Sequence, residues 1–230
     1  MSNNKKQKRL CNAEALFAYE KQLYNEGARI VVGIDEVGRG PIAGPVSAAA
    51  VVLGAGWQPI SGLCDSKQLS AAKREELSTQ LTESVHSSHI AHVDAAYIDD
   101  HGIMPALRLA MQRAVEGLSL GLGRDGGDGE VLDEVPSKIL IDGLPLKLFE
   151  QEEAIVKGDS KIACIAAASI IAKVARDKLM TEASLDYPAY HFDSNKGYAS
   201  VVHRQAIAKF GLTPLHRKSF CRNFLQESLW

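Results

Sequence analysis

Two adjacent carboxylates at the end of an apolar run are the first residues in this sequence with chemistry to offer. In Gly33-Ile34-Asp35-Glu36-Val37-Gly38-Arg39-Gly40-Pro41 the chain is hydrophobic up to Asp35, and beyond Val37 it turns to glycine, arginine and proline. Burying both acids without compensation is expensive. A divalent cation or a strong hydrogen-bond network is the natural remedy, and carboxylate oxygens suit Mg2+ or Mn2+ better than zinc. Strand alternation sends neighbouring side chains to opposite faces, so both acids reach one metal centre only where the strand ends or bends. Asp142 ends a second apolar segment, and Asp159 lies just beyond a third. Four acids at strand ends fit a shared cation site. Each also has a plainer reading: Asp159 can cap the following helix, Asp142 can begin a turn with Gly143, and Glu36 can pair with a nearby base.

The elements that must hold these acids can be read from periodicity and punctuation. Ile30 to Asp35 and Val46 to Leu53 read as buried strands, and the short Gly/Pro-rich turn between them predicts an antiparallel hairpin. Lys138 to Asp142 and Ala154 to Val156 read as short strands, and His89 to Val93 as another. Asn12 can cap a helix with Leu16, Phe17, Leu23 and Tyr24 on one side, ended by Gly27. Ser70 is placed to cap a helix running through Leu77 and Leu81, and a further helix from Pro105 puts Leu107, Met111 and Ala114 on one face. The Ala-rich segment Ile162 to Met180 is a strong helix candidate, because small residues favour helix and permit close packing on a sheet. Strands with interleaved helices predict an α/β fold, a mixed central sheet flanked by helices. The division expected is a basic tail and packing helix over 1–28, a catalytic core over 29–190 and a small helical substrate-contacting region over 191–230.

Composition narrows the function classes. The 230 residues are 46% hydrophobic and 23% charged, ordinary for a globular protein. No apolar run approaches the roughly 20 residues of a membrane span, and no apolar stretch follows Lys5, Lys6, Lys8 and Arg9, so neither a membrane segment nor a secretory signal is expected. A cytoplasmic location is the expectation. Cys11, Cys64, Cys164 and Cys221 lack paired spacing and read as free structural thiols. The net charge of −2 gives no global reason to expect a polyanionic partner. Its distribution does: from Asn195 to Arg222 there is no acid, while Lys196, Arg204, Lys209, Arg217, Lys218 and Arg222 are present with His203 and His216. Such a segment can track a phosphate backbone, or it is a solvated basic surface. Gly117 to Pro136, rich in glycine and acids, reads as an exposed, mobile loop. Its spacing does not match a calcium-binding hand.

An ordered set of motifs makes the reading specific. GIDEVGRGPIAGP over Gly33–Pro45 resembles the hallmark of ribonuclease HII. In order there follow CDSKQLS around Lys67, IDG at Asp142, KGD at Asp159, AAASIIAKVARD from Ala166 to Asp177, NKGY at Tyr198 and HRKSF ending at Phe220. The resemblance spans about Gly33 to Phe220. It implies a ribonuclease H-like fold, and Asp35, Glu36, Asp142 and Asp159 as catalytic acids holding Mg2+ or Mn2+. It also implies that Gly38, Arg39 and Gly40 form the turn approaching the ribonucleotide, with Tyr198 against its 2′-OH and sugar. Ser66 and Lys67 resemble residues that contact the substrate backbone, and Ser169 and Lys173, which with Arg176 fall on one polar side of their predicted helix, are counted with them. Lys173 can pair with Asp177 at i,i+4, which makes Asp177 structural and not a fifth ligand. Asn195 stands where the family often has histidine.

The expected activity is hydrolysis on the 5′ side of a ribonucleotide in RNA/DNA hybrids and in duplex DNA containing single ribonucleotides, leaving 3′-hydroxyl and 5′-phosphate ends. A monomer is expected. A dinucleotide-binding fold fits poorly, because Gly38, Gly40 and Gly44 miss the G-x-G-x-x-G spacing and the next segment reads as strand. A non-catalytic nucleic-acid binder explains the basic segment but gives no reason to gather acids where they repel phosphate. Ribonuclease HIII is the nearer competitor, and the short N-terminal region together with Gly38-Arg39-Gly40 argues against it.

Overall fold

Alternation along five strands decides the architecture. β1 (Val31–Val37), β2 (Val46–Val52), β3 (Ser87–Val93), β4 (Lys138–Asp142) and β5 (Glu152–Ile155) form one mixed sheet in the order β3-β2-β1-β4-β5. β1 pairs antiparallel with β2, with Asp35 opposite Ala49, and β2 pairs antiparallel with β3. β4 runs parallel to β1, with Ile34 beside Ile141, and β5 runs parallel to β4. The computed structural model describes residues 12–118 and 135–226, with side chains as far as Arg222. The basic tail with Cys11 and nearly all of the glycine-rich acidic loop lie outside the described residues.

Each face of the sheet is covered. Val31, Ala49, Val51 and Leu140 point to one side, where they meet α1 (Ala13–Asn25), α2 (Ala71–Ser84) and α5 (Ala163–Asp186). Ile30, Val32, Ile34, Ala48, Ala50, Ile139 and Ile141 point to the other, against α3 (Ala95–His101) and α4 (Ile103–Glu116). Residues 162–172 at the start of α5 are all buried. The backbone of α5 lies close against the sheet at Gly33, where a Cβ would lie 2.4 Å from the backbone carbon of Cys164. The glycine is there to let a helix backbone touch a strand. Ile162 offers α5 no side-chain cap, and Glu20 of α1 supplies one: its Oε1 accepts from the Cys164 N–H at 2.7 Å. The C-terminal region is helical, with α6 (Phe192–Asn195), α7 (Val201–Phe210) and α8 (Lys218–Gln226). It packs Phe192, Ala206 and Ile207 against Ile42, Ala43 and Met180.

The predicted hairpin, caps and long helix are all found, with shifted ends. Asn12 and Ser70 accept from Ala15 and Lys73 N–H groups as caps. β1 continues to Val37, β5 begins at Glu152, and α5 runs on to Asp186. α3 was not foreseen: Asp94 caps it through the Tyr97 N–H, and Gly102, at φ +88°, separates it from α4, which starts at Ile103 and not at Pro105. Cys164 and Cys221 are buried free thiols, as expected, and Cys64 is buried too. Among the described residues no helix is long and apolar enough to cross a membrane. Gly33→Ala should lower stability by about 3 kcal/mol, the upper part of the range for overpacking a core, because the new methyl meets backbone and not a movable side chain. The urea midpoint measures it, and an unchanged midpoint contradicts this account of the packing.

Candidate active site

The same alternation brings the aspartates together. Asp35 shares the parity of Val31 and Asp142 that of Leu140, so both project to the α5 side. The register Ile34–Ile141 sets them side by side one step further on. Asp159 arrives from the short 3-10 turn Gly158–Ser160 that precedes α5. One carboxylate oxygen from each of Asp35, Asp142 and Asp159 lies within 4.8 Å of the others. Backbone donors fix two of them: the Glu36 N–H bonds Asp35 at 2.7 Å and the Gly158 N–H bonds Asp142 at 2.6 Å. Gly158 also packs tightly, since a Cβ there would lie 2.6 Å from Ile165.

Glu36 is placed differently. The strand neither ends nor bends at Asp35, so Glu36 takes the opposite pleat and its Oε1 accepts from Arg39 at 3.2 Å. Among the described residues the converging set is the three aspartates, with Glu36 coupled to them through its charge. Burial pushes Asp35 well above the ordinary carboxylate range, the neighbouring charges of Glu36 and Asp142 add to this, and the Ser169 hydroxyl opposes it. Glu36 is raised by burial against the pull of Arg39. Asp142 is raised by burial and by Asp159, while the Gly158 N–H and Lys67 act the other way. Negative charge is thus gathered here without being fully neutralised. All the donors are carboxylate oxygens, the set that hard cations such as Mg2+ or Mn2+ prefer.

The surrounding cleft takes in most of the other predicted residues. Asp35, Glu36, Ser66, Lys67, Ser169, Lys173 and Tyr198 line it. Lys67, its side chain largely exposed, reaches Asp159 at 2.9 Å, and the Ser66 and Ser169 hydroxyls share a bond of 2.9 Å. Lys173 and Asp177 form the expected ion pair at 2.8 Å, and Asp177 is not in the aspartate group. Arg74 also lines the cleft, and its role was not legible: it donates to the Ser66 and Leu69 carbonyls and so holds the turn that carries Lys67.

At the cleft's edge Tyr198 is 45% exposed, and its ring lies 3.9 Å from where a Gly40 Cβ would stand. Gly38, at φ +90°, has no room for a side chain, since the Arg176 Nε would lie 2.3 Å from its Cβ. Two fully buried arginines hold this turn by its carbonyls. Arg217 donates to Gly38, Arg39 and Gly44, and Arg176 to Ala43, Pro45 and Lys196. Arg217 therefore leaves the basic stretch expected to track phosphate: it is 0% exposed and anchors a loop. His203 and His216 are buried as well. Asn195 orders the turn before Tyr198, its side chain accepting from Gly197 N–H and donating to the Tyr190 carbonyl.

Comparison with known proteins agrees with this fold. The family model described as Ribonuclease HII matches residues 32–223. The ribonuclease HII of Leuconostoc mesenteroides is 43% identical over 204 residues, 89% of this chain and 75% of its own length. That of Ruminiclostridium cellulolyticum is 41% identical over 224 residues, 97% of this chain and 82% of its own. Among solved structures, the ribonuclease H2 from Pyrococcus horikoshii OT3 superposes with a TM-score of 0.66 at 24% identity, covering 86% of this chain and 98% of that one, a likeness of fold.

The raised carboxylates have a measurable cost. Between its ordinary and its raised value, folded Asp35 holds a proton that the unfolded chain has lost, so stability falls as pH rises through that window. In chelator-treated protein, Asp35→Asn should melt above the parent at about pH 7, by about 2–4 °C for each kcal/mol relieved, and the gap should close toward about pH 4. Melting curves across that range check it; a variant that melts at or below its parent at neutral pH contradicts it.

Proposed function

The chain belongs to the ribonuclease HII family, and from that membership we propose the reaction that its acidic cleft supports. It is a hydrolase acting on RNA/DNA hybrids. The proposed cut falls on the 5′ side of a ribonucleotide, in a hybrid or at a single ribonucleotide within duplex DNA, and leaves 3′-hydroxyl and 5′-phosphate ends. The observation that carries this reading is the convergence of Asp35, Asp142 and Asp159 within 4.8 Å, beside a cleft edged by Tyr198.

The family is metal-dependent, and Asp35, Glu36, Asp142 and Asp159 are the proposed holders of Mg2+ or Mn2+. A bound cation would supply activation of water, a counter-charge for the scissile phosphate and stabilisation of the leaving 3′ oxygen. The chain's own residues do the rest. The backbone N–H groups of Glu36 and Gly158 fix Asp35 and Asp142 in orientation, so the acids need not reorganise. Lys67, reaching in from solvent, partly neutralises Asp159 and is free to meet a backbone phosphate when a cation takes over that task. The Ser66–Ser169 hydroxyl pair and Lys173 line the path of the strand.

Recognition of the ribose falls to the Gly38-Arg39-Gly40 turn and Tyr198. A planar trans peptide points its N–H opposite to its C=O. With the Gly38 and Arg39 carbonyls turned to Arg217, the Arg39 and Gly40 N–H groups face away from it, available to a 2′-OH. The Tyr198 ring beside Gly40 would close the space over the sugar. We assign the activity to a monomer in the cytoplasm.

A labelled DNA duplex with one ribonucleotide, incubated with Mg2+ or Mn2+ beside an all-DNA control, tests the reading. Cleavage should occur only with metal and only on the 5′ side. Asp35→Asn should lower it by a factor of about 100 or more, at least what losing an outer-shell partner of a metal costs. Cutting confined to long RNA tracts would overturn the single-ribonucleotide specificity, and no cutting with either metal would overturn the nuclease.

A further inference from the structure

Directly behind Tyr198 lie two histidines whose protons have one consistent arrangement. His203, on α7, and His216, before α8, are both buried. The His216 Nδ1 takes the Thr213 backbone N–H at 2.9 Å, the two Nε2 atoms are 3.0 Å apart, and the His203 Nδ1 lies 2.8 Å from the Tyr198 carbonyl. A backbone N–H can only donate and a carbonyl can only accept. His216 must therefore present a bare Nδ1 and carry its proton on Nε2. That proton is directed at His203 Nε2, which must be bare, and His203 carries its own proton on Nδ1 and donates it to Tyr198. Both rings are neutral, and the direction of the relay is set at both ends by main chain.

The surroundings enforce this arrangement. Tyr190 and Phe192 flank the pair, with ring centroids 5.1 Å from His216 and 5.3 Å from His203 respectively. Burial lowers the proton affinity of both rings. A proton added between them would set two N–H groups face to face in an apolar box. The carbonyl at the end of the relay also accepts from the Ser200 N–H at 2.8 Å, so it is gripped from two directions immediately beside the exposed ring.

We propose that His203 and His216 are positioning residues for Tyr198: their relay fixes its main chain, and through it the ring's place opposite Gly40 at the sugar end of the cleft. The inference rests on the reading of Tyr198 as a substrate contact. It gives this pair a share in ribose recognition at second hand, through hydrogen-bond direction and not through charge.

Two substitutions at one site separate positioning from bulk packing. His203→Asn keeps an N–H near the Nδ1 position, within reach of the Tyr198 carbonyl, and abandons His216; His203→Gln reaches toward His216 and abandons the carbonyl. For the single-ribonucleotide duplex, His203→Gln should lower kcat/KM about 10-fold, the loss expected of one specific hydrogen bond, while His203→Asn recovers most of it. In a Tyr198→Ala background, His203→Gln should add nothing further. Equal losses in Gln and Asn, or losses that multiply with Tyr198→Ala, would overturn the proposal. Two readouts stand apart from activity. Nitrogen-15 spectra of the unmodified protein should show His203 as the Nδ1–H tautomer and His216 as the Nε2–H tautomer, and the reverse would overturn the relay. Amide exchange at Ser200 should quicken in His203→Gln and not in His203→Asn, and unchanged exchange in both would overturn the positioning. If Tyr198→Ala alone cleaves normally, the reading of Tyr198 as a substrate contact fails, and the spectra and exchange still decide the relay.

Discussion

Mutual repulsion among three aspartates, held within 4.8 Å on one side of a sheet, is the constraint from which the rest of the molecule follows. Like charges in a partly buried setting move apart unless their backbones are tied down. The ties are visible. Asp35 and Asp142 are fixed by neighbouring strands in register, each with a backbone N–H on its carboxylate, and Asp159 sits in a turn locked between β4 and the start of α5. Gly33, against the Cys164 backbone, and Gly158, against the Ile165 side chain, let the start of α5 pack tightly beside these acids. The apolar clusters on both faces of the sheet offset what the acids cost.

What separates these acids from others in the chain is the fate of their charge. Asp99 accepts from Lys218 and Ser219 N–H groups at the start of α8, and Glu152 accepts from the N–H groups of residues 146–148. Both are held below the ordinary carboxylate range: ionised oxygens whose partners are already present. Asp35, Glu36 and Asp142 are pushed the other way. A raised acid is one whose counter-charge the fold does not fully supply, the expected mark of a site that takes a cation. Glu20 limits the rule: burial raises it although it caps α5, and its second oxygen has no hydrogen-bond partner among the described residues. Direction of shift must be joined to convergence before it points to function.

Legibility followed the range of the interaction. Strands β1, β2 and β4 were readable because a buried strand leaves an unbroken apolar run, and Asp35 and Asp142 because each sits at or near the end of such a run. That Glu36 would take the other pleat followed from alternation, but the continuation of β1 to Val37, which decides it, did not. Glu20 capping α5 across 144 residues of sequence left no local trace. Within the basic stretch after Asn195, the place of Arg217 was illegible for the same reason. Charge along a sequence does not say which side chain turns inward, and Arg217 turned inward to bind carbonyls 178 and 179 residues away.

The two buried arginines show how charge is divided across the cleft. Arg176 and Arg217 donate to main-chain carbonyls, and among the described residues neither makes a hydrogen bond to a carboxylate. Burial and the nearby Arg176 bring Arg217 down to about 9, which leaves it protonated at neutral pH. The loop from Gly38 to Pro45 therefore rests on two positive charges in a medium that screens them poorly, while a few residues upstream Asp35 and Glu36 gather negative charge. A polyanion approaching the cleft meets attraction under the turn and repulsion at the acids, and a cation is needed at one end only. An uncharged residue of similar volume in place of Arg217 would fill the space but release the Gly38 and Arg39 carbonyls, and with them the direction of the N–H groups proposed to meet the sugar.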